Sequence, residues 1–126
     1  MVGRIWLRAC AISAIVAATA FTSISAEAAG ALAIGSCGAY GDAYDFPTST
    51  SARSAALNHC SGRCRVVATF RRGCAAFAID AVNFCGAHGY ATAPRLGAAQ
   101  NAALRQCYRY GGKECVVRAW ACDARG

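Results

Sequence analysis

The side chains of this chain best suited to nucleophilic, redox or metal chemistry are nine cysteines and two histidines. The most suggestive group is His59-Cys60 with Cys64 four residues on. A thiol beside an imidazole is the make-up of a Cys–His nucleophile, and one His with two Cys offers zinc-ligand types at crude spacing. Adjacent residues on a helix point about 100° apart, however, so His59 and Cys60 do not face each other. A cysteine held in a disulfide is no nucleophile either. Beyond residue 28 the acids are Asp42, Asp45, Asp80, Glu114 and Asp123. Asp42 and Asp45, three apart, fall on opposite faces of an extended segment and make a poor acid/base pair. The chain carries no HExxH, GxSxG or Gly-rich phosphate cradle. No catalytic residue, metal or cofactor is assigned, and a small hydrolase or redox protein is kept as a minor alternative.

The cysteines take their meaning from the compartment. Arg4 and Arg8 precede an apolar run from Ala9 to Phe21, which is shorter than the roughly 20 residues of a membrane span. Ala26-Glu27-Ala28 then supplies small residues for cleavage, so residues 1–28 read as a signal peptide that removes Cys10. Residues 29–126 form a single domain, with no membrane span after cleavage. It keeps Cys37, Cys60, Cys64, Cys74, Cys85, Cys107, Cys115 and Cys122. An even set in a short exported chain argues for four disulfides, whose pairing the sequence leaves open. Secretion or a periplasmic location is expected.

The elements that position these residues come from a repeat. Ala31-Leu32-Ala33-Ile34 matches Ala76-Phe77-Ala78-Ile79, and Cys37-Gly38-Ala39-Tyr40-Gly41 matches Cys85-Gly86-Ala87-His88-Gly89. Pro47 matches Pro94, and Ala55-Ala56-Leu57 with Cys60 matches Ala102-Ala103-Leu104 with Cys107. Cys64, Val66-Val67 and Phe70 match Cys115, Val116-Val117 and Trp120, and Cys74 matches Cys122, giving four cysteines per copy. Repeat one runs from about 30 to 73 and repeat two from about 74 to 126.

Each copy opens on an apolar strand (31–34; 75–79), followed by a Gly-bounded strand (40–46; 86–92). A helix follows Pro47, with Thr48 or Ser49 as N-cap, and another follows Pro94. Ala52, Ala55, Ala56 and Cys60 stripe the first helix; Ala99, Ala103 and Cys107 stripe the second. In the closing strand Cys64, Val66, Ala68 and Phe70 are expected on a core face, with Arg63, Arg65, Thr69 and Arg71 on a wet one. Its counterpart, partly apolar on both sides, is expected to be more buried or to lie against another element. The fold class is α+β: two tandem β-β-α-β repeats, an antiparallel sheet with two helices packed on it, stapled by disulfides. One sheet or two is left open.

Charge points to a surface. The chain is +7; without Arg4, Arg8 and Glu27 there remain 11 basic and 5 acidic residues, a net +6. Arg63, Arg65, Arg71 and Arg72 gather around one strand, and Tyr108, Arg109 and Tyr110 follow the second helix. Arg118 is expected beside Trp120, where a guanidinium can stack on the ring. Arginines among aromatics suit an anionic polymer or an envelope or host protein, without specific nucleic-acid recognition. The function expected is an exported, non-enzymatic binding or accessory module. A secreted inhibitor or effector-like protein is the alternative.

The order of these motifs resembles the secreted bacterial family catalogued as domain of unknown function 4189. The resemblance rests on Ala31–Ile34, Leu57-x-x-Cys60, Cys64 to Phe70, Cys74 to Ala78, and their recurrence through Ala103-Leu104-x-x-Cys107, Cys115-Val116-Val117 and Trp120. It implies export and a stand-alone or accessory module, and it brings no catalytic residues. Cys37 and Cys85 stand outside its usual pattern and are candidates for an extra bond linking the copies.

Overall fold

Small residues alternate with large apolar ones in the opening strand of each copy, and that alternation lets one strand serve two cores. The computed structural model describes residues 15–20 and 28–123, so residues 1–14 and 21–27 of the signal-peptide reading lie outside the described residues. The elements are β1 Ala29–Ile34, β2 Tyr40–Phe46, α1 Ser49–His59 and β3 Arg65–Phe70, then β4 Cys74–Asp80, β5 His88–Ala93, α2 Leu96–Arg109 and β6 Cys115–Cys122. The β-β-α-β order occurs twice. Among the described residues, no helix is long and apolar enough to cross a membrane.

The strands form two antiparallel sheets of three, ordered β2-β1-β3 and β5-β4-β6. Each opening strand is the centre of its own sheet, and every residue of β1 and β4 is buried. Leu32 and Ile34 of β1 meet Phe77 and Ile79 of β4 in a core between the sheets, with Phe70, Ala75, Ala119 and Ala121. Ala29, Ala31 and Ala33 turn outward under Ala52 and Ala56 of α1. Cys74, Ala76 and Ala78 likewise lie under Ala99, Ala103 and Cys107 of α2. The layers are therefore α-β-β-α. A sheet with one wet face was expected; helix and second sheet instead cover both faces of each central strand.

Alanine keeps the helices close. Gly41 of β2 and Gly89 of β5 make this possible, since a Cβ on either would strike backbone of the overlying helix: the Ala56 carbonyl oxygen above Gly41, the Ala103 carbonyl oxygen above Gly89. Of the two N-caps offered for α1, Thr48 is the one used. Thr48 Oγ1 accepts from the Ser51 amide at 3.0 Å and Ser51 Oγ accepts from the Thr48 amide at 3.3 Å, a capping box worth about 1 kcal/mol. Helix α2 begins after Arg95 with no side-chain cap.

Strand registers correct the alignment of the copies. Ala68 pairs with Leu32 and Val66 with Ala33, which leaves Val67 as an extra residue in β3. Ala119 pairs with Phe77 and Val117 with Ala78, so Arg118 is the extra residue in β6. The same β-bulge sits at the same place twice. It flips the strand's parity, so Cys64 and Val66 join the α1 core while Val67, Ala68 and Phe70 join the core between sheets. Period-two reading cannot survive such an insertion. Register also matches Phe70 with Ala121, and Thr69 with Trp120, rather than Phe70 with Trp120. Phe70 fits because its partner is Gly30: a Cβ there would run into the Phe70 ring. As expected, β6 holds more buried residues than β3, Cys115, Ala119 and Ala121 against Phe70 alone, although Val116 and Trp120 are 45% and 53% exposed.

The four disulfides are Cys37–Cys85, Cys60–Cys64, Cys74–Cys122 and Cys107–Cys115. Cys60–Cys64 and Cys107–Cys115 are counterparts, each tying a helix end to the strand that follows. Cys37–Cys85 joins like positions of the two copies, the link expected of these extra cysteines. Cys74 and Cys122 are not counterparts as the alignment suggested. They face each other across β4 and β6 within the second copy, and the register places Ala29 and Arg71 in the first. Four disulfides are the mark of an oxidising, extracytoplasmic environment.

Candidate functional site

Because the sheets face each other, their edges come in pairs: β2 lies near β6 on one side and β3 near β5 on the other. Each pair leaves an open groove. Register makes the two grooves counterparts, yet their side chains differ.

The β3/β5 side carries two arginines, Arg63 and Arg65. Arg65, His88, Tyr90, Gln106 and Tyr110 line a groove of about 390 Å³. It continues into a second hollow of about 410 Å³ that shares Arg65 and His88 and adds Arg63 and Ser36. No carboxylate is among the described residues lining either hollow. Gln106, from the last turn of α2, holds the groove's floor in place: its Oε1 accepts from the Tyr90 amide at 2.6 Å. The His88 ring stands edge-on to Phe77, with centroids 6.2 Å apart, and so is oriented by the core between the sheets.

The β2/β6 side is aromatic. Tyr40, Asp42 and Tyr44 alternate along β2 and line a groove of about 580 Å³ with Arg118 and Trp120 of β6. The bulge aims Arg118 across the gap. Its guanidinium lies over the Tyr40 ring, 5.4 Å from the centroid, and its Nε donates to the Gly38 carbonyl at 3.3 Å. The expected stacking partner was Trp120, two residues away on the same strand. The bulge turns Arg118 toward the opposite sheet instead.

The histidine next to a cysteine has a structural explanation. His59 and Gln106 stand at equivalent positions, and both reach the strand beneath their helix at equivalent residues. The carbonyl of Asp42 can only accept, so His59 Nδ1 donates to it, at 3.0 Å. Cys60 and Cys64 are bonded to each other, which removes the sulfurs from both the nucleophile and the zinc readings.

The remaining sequence candidates separate. Arg63, Arg65 and Tyr110 meet on the β3/β5 side. Arg71 and Arg72 sit at the other end of β3, where Arg71 Nη2 donates to Ser49 Oγ at 3.2 Å. Tyr108 and Arg109 are exposed at the end of α2. The groove residues that sequence reasoning missed are Tyr40, Asp42, Tyr44, His88, Tyr90 and Gln106. The alternation of Tyr40, Asp42 and Tyr44 was a readable signal; which strand they would face was not.

Asp80, at the end of β4, organises the loops rather than a site. Its carboxylate accepts from the amides of Val82 at 3.0 Å, Lys113 at 3.2 Å and Glu114 at 3.2 Å. The Val82 amide leads in lowering its pKa below the ordinary carboxylate value, against desolvation, with the Glu114 and Lys113 amides and the Lys113 charge assisting.

The family model described as domain of unknown function (DUF4189) matches residues 29–122. The chain belongs to this family. No curated protein and no solved structure matches it. Within this DUF4189 chain the match spans both copies, so both grooves lie in the family's domain.

Proposed function

We propose that the domain is an exported, non-enzymatic binding module, secreted or periplasmic, that holds an anionic polymer along its β3/β5 side. The observation that carries this reading is the meeting of Arg63, Arg65 and His88 with Tyr90 and Tyr110 in adjoining hollows whose described lining has no carboxylate. Guanidinium groups offer paired donors to sulfate, phosphate or carboxylate, and tyrosine rings add amphipathic contact. Residues brought together from a closing strand, a hairpin and a helix end form a surface that the fold holds rigid through Cys60–Cys64 and Cys107–Cys115.

A charge-matched comparison tests the proposal. Binding of the disulfide-bonded protein to heparin, a polysulfated glycan, is measured by calorimetry for Arg63→Ala/Arg65→Ala and for Arg71→Ala/Arg72→Ala. Both variants lose two charges. We expect the first to weaken binding about tenfold or more and the second to weaken it far less. Equal losses would reduce the effect to net charge and contradict a dedicated surface.

A further inference from the structure

The second groove carries a different set of residues, and the fold supplies its own control for asking why. Register sets Tyr40 against His88, Asp42 against Tyr90 and Ala43 against Ala91; beyond Ala43 a bulge in β2, which β5 lacks, sets Tyr44 and Asp45 where the other copy has Thr92 alone. It also sets Arg118 against Val67 and Trp120 against Thr69. The other copy builds the same sheet edge with Thr92 and Thr69. Large aromatics at these places are therefore not required by the strands, and Tyr44 and Trp120 remain 55% and 53% exposed. Half-exposed rings that the packing does not need are residues available to a ligand.

The polar groups say what kind of ligand. Arg118 is held over Tyr40 and against the Gly38 carbonyl, and Asp42 lines the same groove. One guanidinium and one carboxylate give a lining of no net charge, unlike the basic side opposite. The volume of about 580 Å³ falls in the ~300–1,000 Å³ range of small-molecule sites, which pair apolar walls with a few fixed polar groups. We propose that the β2/β6 groove is a site for a neutral oligosaccharide. Tyr44 and Trp120 meet the apolar faces of the sugar rings. Asp42 accepts from their hydroxyls, and Arg118, oriented by Tyr40, donates to their oxygens. This is independent of the anionic-polymer reading, which uses the other side of the molecule.

The test follows tryptophan emission during titration with uncharged β-1,4-linked hexamers of glucose and of N-acetylglucosamine. The chain's other tryptophan is Trp6, so Trp120→Phe isolates the signal. We expect saturable binding near or below about 1 mM with at least one hexamer, and about tenfold weakening by Tyr44→Ala and by Asp42→Asn, read by calorimetry. Arg65→Ala is expected to leave hexamer binding unchanged. Tyr44 is exposed, so its substitution leaves the fold intact. No saturable response to either hexamer would overturn the proposal, as would hexamer binding that Tyr44→Ala leaves unaltered. Heparin binding lost through Arg63→Ala/Arg65→Ala has no bearing on this outcome, so the two readings fail separately.

Discussion

The guanidinium of Arg118 lies 5.4 Å from the centre of the Tyr40 ring, joining the edge strand of one sheet to the edge strand of the other. Val67, its counterpart in the other copy, packs against the core between the sheets. The same bulge thus serves packing on one side and a cross-sheet cation–π contact on the other.

That contact sets the first prediction. Arg118→Ala is expected to cost about 1 kcal/mol in chemical denaturation, from a partly exposed cation–π pair and one hydrogen bond to a carbonyl. A double-mutant cycle with Tyr40→Leu checks the coupling. Strictly additive losses would show that the two side chains do not interact.

The glycines beneath the helices make a sharper prediction. Gly41→Ala forces a methyl into the backbone of the last turn of α1, where the Ala56 oxygen and Cys60 nitrogen leave no room. We expect a loss of about 2 kcal/mol or more, seen as a lower denaturant midpoint. Gly62→Ala serves as a comparison with a different cause, because open space surrounds it and only its φ of 89° opposes a side chain. Its expected cost is about 1 kcal/mol.

The disulfides are expected to open in order. Cys37 and Cys85 are both exposed, whereas each of the other three pairs contains at least one buried cysteine. Limited treatment with a thiol reductant, followed by alkylation and mass mapping, is expected to label Cys37 and Cys85 first. Cys37 also holds a φ of 56°, a left-handed conformation rare outside glycine. The bond closes a separation of 48 residues, so the chain-entropy model assigns it about 4 kcal/mol. First labelling at Cys107 or Cys115 would contradict this order.

Asp80 fixes one component of the pH dependence. Its pKa in the folded protein lies below the ordinary value, so its stabilising contribution is complete above the unfolded value, about 3.9, and is lost as pH falls through the folded one. Asp80→Asn is expected to lower the melting temperature at pH 7 and to lessen the further fall below about pH 4. An unaltered acid limb would place the pH sensitivity elsewhere.

Much of the fold is legible in the sequence. The β-β-α-β order, the alanine stripes of both helices and the Thr48 cap all express local periodicity or local hydrogen bonding. What escaped was tertiary. The outward turn of Ala31 and Ala33 and the inward turn of Leu32 and Ile34 suit one covered sheet face as well as two, and only the facing sheet decides. The bulges at Val67 and Arg118 shift side chains between faces without leaving a compositional mark. For the same reason the sequence alone places Arg118 beside Trp120 rather than Tyr40, and joins in one cluster arginines of β3 that the fold holds at its two ends.

The most direct test of the central claim, a basic β3/β5 side that holds an anionic polymer, is the salt dependence of heparin binding. A plot of log K against log salt concentration is expected to be steep for the native sequence. It should flatten by between about one and two units for Arg63→Ala/Arg65→Ala, as fewer counterions are released. A slope left unchanged by that substitution, or flattened equally by Arg71→Ala/Arg72→Ala, would contradict it.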